Sequence, residues 1–148
     1  MTLTTKQKNK QYWLFKSEPS AWSWDQQVNS GAKGTFWSGV RNHLAKNNLK
    51  AMRTGDQGFF YHSNEGKEMV GIVEVIREAY PDPTAEQGEP WVVVDIKAVK
   101  PLKKPVTLAD VKAEPKLIKM SLVTSARLSV QPVTDAEWQL ICRMGGVS

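Results

Sequence analysis

The sequence predicts an α+β domain: a small, curved, largely antiparallel sheet with helices packed against it. Three observations lead there. Segments of apolar alternation with period two are bounded by turn residues, as half-buried strands require. Two of these segments are joined by Asn64-Glu65-Gly66, a hairpin connection. The helical segments fall between and after the strands without the regular βαβ alternation of a doubly wound fold. The 148 residues fall within the usual range of one domain. Residues 1–10, with Lys6, Lys8 and Lys10, are expected to be a flexible basic tail, and residues 11–148 the folded domain.

The elements follow in order. Tyr12–Ser17 alternates as a strand, with Trp13, Phe15 and Ser17 on one face and Leu14 and Lys16 on the other, and Pro19 ends it. Ser23 and Gln26 form a capping box for a short helix that Ser30-Gly31 stops. A loop from Gly34 to Val40 leads into a helix over Arg41–Met52, where Ala45, Leu49 and Met52 make a buried stripe beside the basic residues Lys46, Lys50 and Arg53. Gln57–Ser63 and Met69–Tyr80 are hairpin strands, with Pro81-Asp82-Pro83 closing the second. Trp91–Lys100 is the cleanest strand, carrying Val92, Val94, Ile96 and Ala98 on one face. Pro101–Pro105 is expected to be a connection, and Thr107 with Asp110 starts a helix that Pro115 stops. Arg127–Val133 is a short extended segment. The last helix has the Thr134/Glu137 capping box, a Val133/Trp138 staple and Gly145-Gly146 at its end.

Composition narrows the function classes. No apolar run approaches the ~20 residues needed to cross a bilayer, and the polar N-terminus lacks the apolar core of a signal peptide. A cytoplasmic protein is expected, with access to the nucleoid in a bacterium or to the nucleus in a eukaryote. The single Cys142 and two histidines leave too few ligands for a structural zinc, so no metal or cofactor is expected. A net charge of +5 with pI near 9.4 favours an anionic partner. The six tryptophans can fill a core or stack on a ligand, and Trp13, Trp91 and Trp138 are assigned structural duties.

For catalysis, His62 and Ser63 are adjacent on a strand and point to opposite faces, so they form no dyad. There is no G-x-S-x-G elbow, Walker loop or G-x-G-x-x-G. Binding fits better, because polar groups gather where apolar elements end. Lys16, Ser17 and Glu18 close the first strand, and Tyr61, His62, Ser63 and Asn64 close the second. Trp37, Arg41 and Asn42 flank the start of the second helix. Such a set suits a flat ligand with a polar edge. Each residue also has a structural alternative: Trp37 and Tyr61 as core aromatics, Arg41 and Arg127 in ion pairs, Asn42 as a helix cap, Ser63 and Asn64 in the turn, and His62 as a hydrogen-bonded strand residue.

Five stretches, WLFKSEP (13–19), FWSGVRNHLAKNNLKAM (36–52), GDQGFFYHSN (55–64), VGIVEVIREAYPDPT (70–84) and RLSVQPV (127–133), resemble the EVE domain family in the same order. The resemblance implies a PUA-like fold, a curved, barrel-like sheet flanked by helices, shared with YTH and ASCH domains. It also implies a non-enzymatic reader of modified bases, such as 5-methylcytosine or 5-hydroxymethylcytosine in DNA, or of modified RNA. By position, Trp37, Val40, Arg41 and Asn42 would make one wall, Lys16, Ser17 and Glu18 a second, and Tyr61, His62, Ser63 and Asn64 a third. Arg127, Ser129 and Gln131 would make the rim. Ser38 stands where members of that family often have aspartate.

On this reading the partner is DNA or RNA carrying a modified base. Lys46, Lys50 and Arg53, with Lys100, Lys103 and Lys104, would hold phosphates while an unpaired or flipped base enters the pocket. The alternatives are an enzyme using Lys16, Glu18 or His62 as acid or base on a nucleotide or small acid, and a nucleotide sensor that never touches a polymer. The sequence leaves the oligomeric state open.

Overall fold

A computed structural model describes residues 10–147; the first nine residues, most of the expected basic tail, and Ser148 lie outside the described residues. The strands are β1 (Tyr12–Ser17), β2 (Thr35–Phe36), β3 (Gln57–His62), β4 (Glu68–Pro81), β5 (Val92–Thr107) and β6 (Val130–Val133). The helices are α1 (Trp24–Asn29), α2 (His43–Ala51), α3 (Leu108–Ala113), α4 (Ser121–Thr124) and α5 (Asp135–Met144), with 3₁₀ turns at Gly31–Lys33 and Pro115–Leu117.

The strands form one sheet in the order β2-β5-β4-β3-β1-β6. β1 and β3 run parallel, because the chain crosses over through α1, β2 and α2 between them, and the other four pairings are antiparallel. Curvature comes from register shifts: the β3–β4 ladder slips between Phe60 and Tyr61, and the long β4–β5 ladder slips between Met69/Gly71, Ile72/Val73, Val75/Arg77 and Arg77/Tyr80. Each slip adds local bend and twist. The sheet therefore curls without closing, the PUA-like shape.

Both faces of the sheet are apolar. Trp13, Phe15, Phe60, Val73, Val75, Val94 and Ile96 face α1, α2 and the loop before α2. Leu14, Phe59, Tyr61, Ile72, Leu102 and Val106 face α3, α4 and α5. The alternation expected along β1 is thus a division between two buried layers, whereas on β5 the face opposite Val94 and Ile96 carries half-buried Asp95 and Lys97 and joins the second layer only at Leu102 and Val106. One polar anchor crosses the first layer: Trp13 Nε1 donates to Asp56 Oδ2 at 3.0 Å, and the amides of Gln11 and Arg53 bond the same carboxylate.

Three expectations need correction. Pro101–Pro105 is not a connection but part of β5, which continues to Thr107. The β4–β5 register passes from Gly71↔Pro101 to Met69↔Val106, leaving residues 102–105 of β5 bulged opposite Val70, with the Lys104 amide donating to Gly145 O, and a bulge is where a strand tolerates proline. The second helix begins at His43 rather than Arg41, because Asn42 is extended and its side chain accepts from the Ala45 amide as N-cap. The loop after Gly34 contains the short strand β2, which no alternation announces.

Candidate functional site

On the α1/α2 side the two layers do not meet at the end of β1, and a hollow of about 500 Å³ opens there. Its size is that of a small-molecule site. Four short segments build it. The end of β1 brings Lys16, Ser17 and Glu18; the turn before α1 brings Ala21 and Trp22; β2 and the following loop bring Thr35, Phe36, Trp37, Ser38, Gly39 and Val40; and Ser129 precedes β6.

The aromatic walls are fixed by different means. Trp37 is 7% exposed and packs edge-on against Phe15 (5.3 Å) and Phe60 (5.7 Å), while its amide donates to Val94 O at 2.8 Å, extending the β2–β5 pairing. Trp22 is held by polar bonds. Its carbonyl accepts from Ser17 Oγ (2.6 Å), and its Nε1 donates to Gln27 Oε1 (2.9 Å). Gln27 is fully buried, and its Nε2 reaches Ile96 O at 3.2 Å, so the wall is tied through α1 to β5. Phe36, 41% exposed, stands at the mouth. The path into β2 depends on Gly34: at φ +68° its backbone lies so close to Ile96 that a Cβ would sit 2.1 Å from the Ile96 carbonyl oxygen.

The polar lining combines one ammonium, Lys16, one carboxylate, Glu18, and several hydroxyls. Lys16 Nζ donates to Ala126 O at 2.6 Å, and its amide bonds Ser129 O, joining β1 to the segment before β6. Burial pushes the Lys16 ammonium pKa below its ordinary value. Two of its three N–H donors remain for a ligand. On the rim, Asp82 takes the Gly39 amide, Arg41 Nη1 at 3.0 Å, and both the amide and hydroxyl of Thr84. Burial alone would raise the Asp82 pKa; these hydrogen bonds outweigh it and hold the carboxyl below its ordinary range. Arg41 also lies over Trp91, 5.7 Å from its ring, and His43 packs on the same ring. Trp91, assigned a structural duty from the sequence, is half-buried just before β5 and takes part in this clamp.

The structure therefore brings Lys16, Ser17, Glu18, Trp37, Val40 and Ser129 into one hollow. It places the other expected residues elsewhere. Arg41 serves the Asp82 clamp, and Asn42 caps α2. Tyr61 is buried on the opposite face of the sheet. His62 Nε2 accepts from the Trp24 amide at 3.1 Å, which holds the start of α1. The Ser63 amide donates to Ser17 O, and Asn64 adopts φ +68° in the hairpin turn. Gln131 is fully buried, its Nε2 donating to the carbonyls of Ser121, Ser125 and Leu128. Arg127 borders a neighbouring hollow. Of the basic residues, Lys50 and Arg53 are exposed on and just after α2, and half-buried Lys46 meets His43 Nδ1 at 3.2 Å. Lys100 and Lys103 border a hollow with Arg143 of α5, and Lys104 borders another, on the opposite face. Sequence reasoning missed Trp22, Phe36 and Thr35 as lining. A tryptophan just outside a capping box is the one available signal.

The EVE domain family model matches residues 11–144. This chain belongs to the EVE domain family. It is 34% identical to mouse thymocyte nuclear protein 1 over 95% of this chain and 77% of that one. It is 35% identical to the chicken protein, of which it spans 66%. Among solved structures, this EVE domain superposes with a TM-score of 0.91 on a protein from Agrobacterium tumefaciens, at 60% identity and covering 93% of this chain and 94% of that one. Human THYN1 in complex with 5-methylcytosine-containing DNA aligns at TM-score 0.85 and 31% identity, covering 94% and 99%. A YTH domain from Zygosaccharomyces rouxii, at TM-score 0.55 and 15% identity, shares the fold. No helix among the described residues is long and apolar enough to cross a membrane.

Proposed function

We propose that this EVE domain is a reader that takes a modified base of a nucleic acid into the hollow at the end of β1. The observation that carries the reading is the wall composition: three aromatic residues, Trp22, Phe36 and Trp37, around Lys16, Ser17, Glu18, Ser38 and Ser129. Aromatic faces hold a base by its plane, and hydroxyl and ammonium groups hold its edge. The human relative solved with 5-methylcytosine DNA supports the same ligand class for this chain.

In this assignment Lys16, Ser17, Glu18 and Ser129 read the edge of the base, and Trp22, Phe36, Trp37 and Val40 shape its seat. Ser17 already donates its hydroxyl proton to Trp22 O, so it meets the base as an acceptor. Lys46 and Lys50 of α2, and Arg53 just after it, hold phosphates, since α2 begins just beyond Val40 at the mouth. Lys100, Lys103 and Lys104 would meet a strand only if it wrapped to the other face of the sheet.

The test is binding of oligonucleotides with 5-methylcytosine, 5-hydroxymethylcytosine or cytosine, as DNA and as RNA, at two salt concentrations. Affinity should fall with salt for every strand, while the ratio of modified to unmodified stays constant, because phosphates set the first and the hollow sets the second. Phe36→Ala should lose about 1–3 kcal/mol of binding, the worth of one stacked base. Equal affinity for all three bases in both polymers would refute the reading.

A further inference from the structure

Beside the base hollow lies a second, of about 330 Å³, bordered by Asn42, Leu44, Ser125, Ala126, Arg127 and Leu128. The two share a wall. Lys16, which lines the first, donates from Nζ to the carbonyl of Ala126, which lines the second. Leu128 and Ser129 are consecutive residues, one bordering each hollow, and Val40 and Asn42 are likewise divided between them. A chain leaving the first hollow across this wall would pass directly over the other.

The chemistry of the second hollow is specific. It carries one charge, the Arg127 guanidinium, and no carboxylate. Arg127 is exposed and forms no salt bridge among the described residues, whose one ion pair is Arg41–Asp82. An unpaired guanidinium offers a planar fork of donors matched to phosphate oxygens. Next to it Leu44 is 57% exposed, although it lies in the first turn of α2, whose buried stripe runs through Ala45 and Leu49. A single exposed leucine is ordinary. An exposed leucine sharing a hollow with an unpaired arginine, next to a base-sized cavity, provides an apolar seat and a phosphate contact side by side.

We infer that this second hollow receives the nucleotide adjoining the captured base, its phosphate on Arg127 and its base or sugar against Leu44. The inference rests on the reader assignment and deepens it. Recognition would then extend over two consecutive nucleotides, and an oligonucleotide would be preferred over a free nucleoside by contacts outside the base hollow.

The experiment compares three probes carrying the same modified base: the nucleoside, and dinucleotides with the unmodified neighbour on the 5′ or the 3′ side. One dinucleotide should bind more tightly than the nucleoside, and the other should not, which fixes the strand direction. Arg127→Ala should cut that gain about fivefold at low salt, the upper range for one exposed charge contact, and reduce the salt slope of oligonucleotide binding by about 0.7, the loss of one single-strand phosphate. Arg127→Lys should recover the salt slope. Leu44→Ser should reduce the gain without changing the slope. Lys112→Ala, removing an exposed cation on the opposite face, should leave both intact. If the nucleoside binds but neither dinucleotide improves on it, or if the gain survives in Arg127→Ala, the adjoining subsite is wrong and the base hollow stands. If no probe binds, the reader assignment falls and the subsite falls with it. DNA and RNA dinucleotides run in parallel show which sugar the hollow accepts.

Discussion

The two faces of the curled sheet are built from the same strands but finished differently. Behind β1 and β3, α5 closes the layer: Trp138 stacks on Phe59 (4.1 Å) and on Tyr12 (4.2 Å), with Ile141 and Cys142 buried beside it. In front, the covering pieces are the six-residue α1, the two-residue β2, an irregular loop and α2. Together they leave the end of β1 uncovered. A long, well-capped helix seals apolar surface, whereas short pieces joined by loops leave gaps between them. The same arrangement that stabilises one face thus leaves the other free to bind.

If stability resides behind and binding in front, substitutions on the two faces should separate the two properties. The largest effect is expected from Trp138→Ala. Removing a buried tryptophan with two stacked partners should cost about 3–5 kcal/mol, read as a lower denaturant midpoint, while base affinity of the folded protein stays unchanged. Matching losses in affinity would show the faces to be coupled. Gly71→Ala tests the front. A Cβ there would meet the Trp24 ring at 2.4 Å. Trp24 packs edge-on against Phe60, and Phe60 against Trp37, so displacement is passed to the wall of the hollow. Overpacking of this kind costs about 1–3 kcal/mol. The stability loss should be smaller than for Trp138→Ala and the loss of base affinity larger.

The rim can be tested separately from the walls. Arg41→Ala leaves the Asp82 carboxylate buried with only Thr84 and the Gly39 amide as donors. Loss of one bond to a buried charge costs about 1–3 kcal/mol. Because the Asp82 pKa is depressed in the folded protein, its contribution is present at neutral pH and is lost as pH falls through the folded value. In Arg41→Ala that acid-dependent part of stability should shrink. Urea titrations from pH 7 to pH 3 would show it, and parallel curves for both proteins would mean that Arg41 does not support Asp82.

Much of this contrast was legible in the sequence, and what was not has definite physical causes. The back face announced itself: the Thr134/Glu137 capping box and Trp138 are local signals, and both are present as expected. The alternation of β1 and β5 gave their faces correctly, but not that both faces of β1 would be buried, since alternation shows which residues share a side and not what covers it. β2 was invisible because two residues carry no periodicity. The prolines of β5 hid the rest of that strand, because their tolerance depends on which neighbour pairs with it. For the site, the motifs pointed to the end of β1 and the Trp37 loop, and these two segments lie around one hollow. The absence of Tyr61 and Gln131 from the hollow reflects strand alternation and the register of β6 with β1, which are settled only when the sheet assembles.

The smallest expected effect concerns His62, which lies between the faces' two roles. Its Nε2 accepts from the Trp24 amide, so the imidazole must be neutral at that nitrogen for α1 to be held. Burial lowers its pKa, and the carboxylates of Glu68 and Asp25 restore only part of the loss. The unfolded chain therefore takes up a proton before the folded one does. The contribution of His62 is complete above the ordinary value of about 6.5 and is lost as pH falls from there through the folded pKa. His62→Gln retains an acceptor for the Trp24 amide but cannot titrate. Urea midpoints measured from pH 8 to pH 5 should decline more steeply below pH 6.5 in the wild type than in His62→Gln. Trp24 packs on Phe60 and through it on Trp37, so base affinity should weaken in the wild type over the same interval. If stability falls there while base affinity does not, α1 can loosen without disturbing the wall, and Trp22 and Trp37 owe their positions to β5 rather than to the start of α1.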